Sequence, residues 1–159
     1  MKSEMKNTRL HGKSVVTLPC ACANLRRASR VVTQFYDDAL RPSGIRVTQF
    51  TLLQALVLMT RTSQKQLAEL LGIDSTTLTR TLGHLRRKGW LRTERGADRR
   101  ELGLSLTSAG RREYLRVLPY WQAAQKRLRR TLGKTNWNRL VNAAVNTASV
   151  TPRAVTKVF

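Results

Sequence analysis

From residue 25 onward, apolar side chains recur at intervals of three and four: Leu25, Ala28, Val32, Phe35 and Ala39, with Val31, Tyr36 and Leu40 widening the stripe. That spacing predicts an amphipathic helix, with Arg26, Arg27 and Arg30 mostly off its apolar face. Arg41-Pro42-Ser43-Gly44 ends it, because proline cannot continue a helix and glycine admits a turn. Thr48 is placed to cap a second helix with Phe50, Leu53, Leu56 and Val57 on one side. Ser63 and Gln66 have the spacing of a capping box ahead of Leu67, Leu70 and Leu71, and Gly72 closes this short helix. Asp74 is a further N-cap candidate, opening a helix with Leu78, Leu82 and Leu85 on its buried side and Gly89 at its end. A short helix, a tight turn and a longer helix form a helix-turn-helix. Ser75, Thr76, Thr77, Arg80 and Thr81 lie off the leucine stripe, in the part of the second helix that enters the major groove in this motif.

The period then changes. Trp90 to Glu94 reads as a strand, and Glu101 to Leu106 alternates with period two as a half-buried strand. Between them, residues 95–100 (Arg-Gly-Ala-Asp-Arg-Arg) form a loop of hairpin length. A helix-turn-helix followed by a basic hairpin is a winged helix. Its tip would carry Arg95, Arg99 and Arg100, and guanidinium groups are favoured in a narrow, strongly negative minor groove. Thr107 caps a long helical pattern through Leu115, Leu118, Trp121, Leu128 and Leu132, with a kink or two abutting helices expected at Pro119. Gly133 stops it, and a last helix from about Asn136 carries Trp137, Leu140, Val141, Ala144, Val145 and Ala148.

The fold class that follows is mainly α with a small β-hairpin wing. Its expected organisation is a flexible basic arm (1–18), an N-terminal helix and connection (19–47), a winged helix-turn-helix (48–107), C-terminal helices (108–149) and a tail (150–159). Composition sharpens the functional reading. Thirty Lys and Arg against nine Asp and Glu give a net charge of +21 in 159 residues, which points to a polyanionic partner, nucleic acid before membrane surface. A hydrophobic content of 41% is too high for a disordered basic tail. The longest apolar run, Leu52 to Met59, is interrupted by Gln54, so no membrane span is expected. No apolar segment precedes Val15, so no secretory signal is expected either, and a cytoplasmic location follows.

The charge is not confined to the reading head. Residues 61–100 hold ten Lys and Arg against four Asp and Glu, while residues 111–139 hold nine against one. The second block is open to two readings, a solvated surface or a sequence-independent attraction for DNA. An enzyme is not expected. The chain has no glycine-rich phosphate loop, and its one pair of adjacent carboxylates, Asp37-Asp38, points to different sides of a helix. His11, His84, Cys20 and Cys22 lack metal-ligand spacing, so neither metal nor other cofactor is expected. Cys20 and Cys22 open the first helix, where the helix dipole and the nearby Arg26 and Arg27 favour thiolate. They are redox candidates on that ground, but small buried core cysteines are the preferred reading, and two positions apart on a helix is poor geometry for a mutual disulfide.

Several stretches together carry a family resemblance: Gln66-Leu67-Ala68-Glu69-Leu70-Leu71-Gly72-Ile73, Thr79-Arg80-Thr81-Leu82, Leu85-Arg86-Arg87-Lys88-Gly89-Trp90-Leu91, and above all Asp98-Arg99-Arg100 followed by Leu104-Ser105-Leu106-Thr107 and Gly110. Asn24 to Ala28, Tyr36-Asp37 and Gln49-Phe50 fit the first two helices of the same pattern. Over roughly residues 20 to 148 the sequence resembles the multiple-antibiotic-resistance regulator (MarR) family. The resemblance implies a homodimer whose N- and C-terminal helices interlock as dimerisation helices. It further implies double-stranded DNA as partner, with a pseudo-palindromic operator bound as a repressor that a small ligand or thiol oxidation releases. By position, Thr76, Thr77 and Arg80 match recognition-helix contacts, Arg100 the wing arginine that enters the minor groove, and Asp98 the carboxylate that orients it. Tyr36, Phe50 and Trp121 fall near a junction where family members bind small aromatic anions, with Arg46 as a balancing cation; core packing is the preferred reading for each aromatic residue taken singly. Gly83 departs from the pattern and puts the rigidity of the recognition helix in question. The alternative function is a non-specific architectural DNA- or RNA-binding protein, which would bind random duplex or single strands as well as any operator.

Overall fold

The computed structural model describes residues 6–10, 13–95 and 102–149. In chain order these form β1 (Lys6–Leu10), β2 (Lys13–Thr17), α1 (Ala21–Leu40), a short 3-10 turn (Arg41–Ser43), α2 (Val47–Met59), β3 (Thr62–Ser63), α3 (Gln64–Leu71), α4 (Ser75–Arg87), β4 (Leu91–Arg95), β5 (Leu102–Leu106) and α5 (Ser108–Ala148). The fold is mainly helical with a small three-stranded antiparallel sheet, in the order β3-β5-β4. Strand β4 runs opposite β5 with Leu91 facing Leu106 and Arg95 facing Leu102, and Thr62 of β3 pairs with Leu104. Strand β3 is two residues long, too short to leave a periodic signal in the sequence.

One core joins these elements. Leu40, Phe50, Leu53, Leu56, Leu67, Leu78, Leu82, Leu85, Leu104 and Val117 are all fully enclosed, drawing on every helix and on the sheet. Each side chain of this kind contributes roughly 1.5–3 kcal/mol by leaving water. Phe50 stacks on Tyr114 of α5 with centroids 5.5 Å apart and meets Trp121 at 5.8 Å, which seats α2 against α5. Helix α1 is held to α5 by the Tyr36 hydroxyl, which donates to Gln125, and by the Arg127 guanidinium lying 4.4 Å over the Phe35 ring. Burial pushes the Tyr36 phenol above its ordinary pKa.

Three local expectations need correction. Residues 1–18 were expected as an arm without regular structure, yet Lys6–Leu10 pairs with Lys13–Thr17 as a hairpin, Leu10 opposite Lys13. The signal overlooked was the β-branched run Val15-Val16-Thr17, which favours a strand. The second helix starts at Val47 with Arg46, not Thr48, as its cap residue. Gln49 Oε1, from the first turn of α2 itself, accepts from the Arg46 amide at 3.1 Å, and the Val47 amide is satisfied from outside, by Asp37 Oδ1 of α1 at 2.7 Å. A cap supplied by a neighbouring helix leaves no mark at the cap position itself. The chain keeps helical torsions through Pro119, where a kink or two abutting helices are expected, and α5 is interrupted at Gly133 (φ 74, ψ 160), the expected stop before its last segment. Pro119 itself is exposed, on the outer surface of α5.

The start of α5 is tied tightly to the end of the helix-turn-helix. The Thr107 amide donates to the Trp90 carbonyl at 3.0 Å, and its hydroxyl donates to the Gly89 carbonyl at 2.7 Å while accepting from the Gly110 amide at 3.0 Å. Gly110 is buried so close to Trp90 that a Cβ there would stand 2.2 Å from the Trp90 carbonyl oxygen. Backbone, not a flexible side chain, occupies that space, so Gly110→Ala forces the two elements apart. Chemical denaturation should show a loss of about 1–3 kcal/mol, the usual range for overpacking, and an unchanged midpoint would refute the contact.

Candidate nucleic-acid interface

The helix-turn-helix forms as its capping residues dictate. Ser63 Oγ accepts from the Gln66 amide at 3.2 Å and Gln66 Oε1 from the Ser63 amide at 2.9 Å, a reciprocal box opening α3. Gly72 takes the left-handed conformation (φ 61) that lets α3 stop after eight residues, and the Ile73 amide returns to the Ala68 carbonyl at 3.1 Å. Asp74 then caps α4. Its Oδ1 accepts from the Thr77 amide at 2.8 Å and its Oδ2 from the Thr77 hydroxyl at 2.7 Å. These bonds, the hydroxyl's first, hold the Asp74 carboxyl below its ordinary pKa. Gln64 Nε2 donates to Thr79 Oγ1 at 2.6 Å, a polar tie between α3 and α4 that the sequence pattern did not reveal.

Burial of Leu78, Leu82 and Leu85 fixes the rotation of α4. Ser75, Thr76, Thr77 and Arg80 are exposed and Thr81 is half-buried. At 100° per residue, Thr76, Arg80, Gly83 and Arg87 make the outermost stripe, with Thr77 and His84 on one flank. Arg80 takes part in no hydrogen bond or ion pair among the described residues, whereas Arg92 of β4 is engaged with Ser105 at 2.9 Å and Glu94 at 3.0 Å. Asp98, Arg99 and Arg100 lie outside the described residues. Arg95 ends β4, with its backbone paired to Leu102.

The remaining candidates do not assemble into one site. Tyr36, Phe50 and Trp121 serve the core, through the contacts given above, and Phe50 is fully enclosed. Arg46 stands apart, 3.4 Å from Asp37, and lines an open cavity of about 560 Å³ between α1 and the α1–α2 connection together with Arg30, Asp37, Asp38 and Arg41. Asp38 pairs with Arg41 there, so each of the adjacent carboxylates has an arginine partner. Cys20 and Cys22 are both exposed, which corrects the expectation of core cysteines; Cys20 is the cap residue of α1 and makes no side-chain cap bond. The leucine-poor start of α1 explains this, because the inward stripe reaches the core only at Tyr36 and Leu40. Arg111, Arg112, Lys126, Arg129 and Arg130 are exposed on the side of α5 opposite Val117 and Ala124. No helix among the described residues is long and apolar enough to cross a membrane.

A sequence profile of the MarR family matches residues 43–101, from the α1–α2 connection to the residue before β5. Among solved structures, the transcriptional regulator MosR of M. tuberculosis, in complex with DNA, is 38% identical; the alignment covers 81% of this chain and 93% of that one, with a TM-score of 0.73. This chain belongs to the MarR family. The HTH-type transcriptional regulator SarZ of Staphylococcus epidermidis is 33% identical over 85 residues, 53% of this chain and 57% of SarZ. The uncharacterized HTH-type transcriptional regulator YwoH of Bacillus subtilis is 27% identical over 90 residues, 57% of this chain and 66% of YwoH. The matches to these curated relatives thus span between about half and two thirds of their length.

The glycine that departs from the MarR pattern leaves α4 continuous. A Cβ at Gly83 would meet nothing nearer than the tip of Arg87 at 3.9 Å, so packing does not demand glycine there. Gly83→Ala should stabilise the protein by about 0.5–1 kcal/mol through helix propensity, read as a raised denaturation midpoint; a fall would reveal a contact that the fold does not contain. The Asp74 cap has a definite pH signature. A carboxyl depressed in the folded state stabilises fully above its unfolded pKa of about 4, and the contribution disappears as pH falls through the lower folded value. Acid unfolding of the wild type should therefore include a component below about pH 4 that Asp74→Asn lacks. Identical acid profiles would remove Asp74 from the cap.

Proposed function

We propose that this chain regulates transcription as a homodimer, placing α4 of each protomer in the major groove of a pseudo-palindromic DNA site and its wing in the adjacent minor groove. The observation that carries the reading is the outer stripe of α4. Arg80 in that stripe is exposed and free of any internal partner among the described residues, on a helix whose rotation is set by three enclosed leucines. An arginine held ready in this way suits bidentate contact with guanine, the commonest specific base contact. Ser75, Thr76, Thr77 and Thr81 supply the other groove-facing groups, and Arg95, Asp98, Arg99 and Arg100 the wing. That the MosR relative was crystallised with DNA supports the same assignment. Leu25, Val31, Leu140, Val141 and Val145 leave apolar surface exposed on α1 and the last segment of α5, which supports a second copy covering it.

The sign of regulation proposed is repression. Two release routes have support: oxidation of the exposed Cys20 or Cys22, and binding of a small anion, aromatic acids included, in the cavity lined by Arg46. A sequence-independent component is favoured by the exposed cations of α5, which would add to the salt dependence of binding without adding selectivity. Selection of bound genomic fragments followed by footprinting tests the reading. The wild type should protect dyad-symmetric sites, and Arg80→Ala should cost about 1–3 kcal/mol and relax the preferred sequence. Equal affinity for random duplex and selected site would refute it. Repeating the footprint with peroxide and with benzoate-type acids distinguishes the two release routes.

A further inference from the structure

The hydroxyl groups of α4 do not all have their protons free. Thr77 Oγ1 lies 2.7 Å from Asp74 Oδ2, and an ionised carboxylate can only accept, so the shared proton belongs to the threonine. Thr81 Oγ1 lies 3.0 Å from the Thr77 carbonyl oxygen and Thr79 Oγ1 lies 2.7 Å from that of Ser75; carbonyls likewise only accept. Thr79 in addition receives the Gln64 amide. Among the described residues Thr76 has no such bond and keeps its freedom to donate or accept. Thr77 is thus an exposed hydroxyl whose remaining hydrogen-bonding capacity is a pair of acceptor sites, three residues before Arg80, which can only donate.

We infer that Thr77 is a specificity-determining residue that reads an exocyclic amino group, adenine N6 or cytosine N4, beside the base taken by Arg80, with Asp74 as the positioning residue that fixes its polarity. In the major groove these amines are the donors; guanine and thymine offer acceptors at the corresponding edge, and phosphates offer only acceptors. Thr77 cannot serve a phosphate or a guanine O6 without giving up its bond to Asp74. The inference rests on the proposed function and assigns one contact within it.

The test uses the full-length protein and a selected operator. Each adenine in turn is replaced by purine and each cytosine by 2-pyrimidinone, analogues lacking the exocyclic amine, and affinity is measured for wild type, Thr77→Val and Asp74→Asn. Wild type should lose roughly three- to tenfold at one symmetry-related position per half-site, the range of a single hydrogen bond. Thr77→Val should bind the natural operator with a similar loss and be indifferent to the analogue at that position, a coupling that cancels any weakening of the duplex itself. In Asp74→Asn the new amide can donate to Thr77, whose own proton is then free to point outward, so the preference at that position should spread to guanine or thymine while the cap persists. Loss of amine discrimination in Asp74→Asn with circular dichroism unchanged separates positioning from folding. Selective operator binding with no Thr77-dependent sensitivity to any amine, or sensitivity only to a thymine methyl, would overturn the inference and leave the proposed function intact. Failure of the wild type to select any operator would overturn both.

Discussion

The packing of three leucines decides what this protein can offer to a partner. Leu78, Leu82 and Leu85 turn one face of α4 into a core shared with α2, α3, the sheet and Val117 of α5. A helix held at three successive turns cannot rotate without exposing several of these side chains at once, and each would cost roughly 1.5–3 kcal/mol. The opposite face follows by geometry rather than by any interaction of its own. Thr76, Thr77 and Arg80 face outward because the leucines face inward. The capping bonds then refine what rotation has set: Asp74 fixes the first turn, and Gln64 fastens α3 to the flank of α4.

Legibility in the sequence followed the range of the interaction. Ser63, Asp74 and Thr107 were readable as caps because each serves amides two or three residues away, and Gly72 because it supplies a backbone conformation at its own position. The cap of α2 was not readable: the carboxylate on the Val47 amide comes from Asp37, ten residues earlier on another helix. The same limit explains the glycines. Gly110 was visible only as part of the family's spacing pattern, while its physical reason is the Trp90 carbonyl brought against it by folding. At Gly83 the sequence raised a question of rigidity that only the surrounding space could answer.

The aromatic residues show how a chemical grouping implied by a family resemblance comes apart in three dimensions. Tyr36, Phe50 and Trp121 were gathered with Arg46 because all four fall near one junction of helices. Phe50 and Trp121 instead satisfy one another and Tyr114, Tyr36 engages Gln125, and Arg46 faces an open cavity with the carboxylates of α1. A ring that already has stacked partners gives up about 0.5–1.5 kcal/mol when one is displaced, which disfavours it as a ligand platform. Polar walls with paired charges suit an anion that exchanges partners with Asp37 or Asp38. The cysteines follow the opposite course: expected inside, they are exposed because the inward stripe of α1 reaches the core only near its C-terminal end.

These placements bear on how an event far from α4 would reach it. Helix α5 runs from the wing strand to its break at Gly133 and is fastened at both levels, by Thr107 and Gly110 on the Gly89–Trp90 backbone and by Gln125 and Arg127 on α1. Arg116 adds a bond at 2.7 Å to the Ser43 carbonyl in the α1–α2 connection. A shift of α1 or of that connection therefore acts on a continuous helix whose first turn has no clearance from the end of the helix-turn-helix. With a Cβ position at Gly110 only 2.2 Å from the Trp90 carbonyl oxygen, no side chain fits between α5 and the backbone that follows α4, and close-packed elements transmit strain rather than absorb it. The glycine that permits this contact thus makes the reading head answerable to the upper helices, which a looser junction with a side chain between the two elements would not.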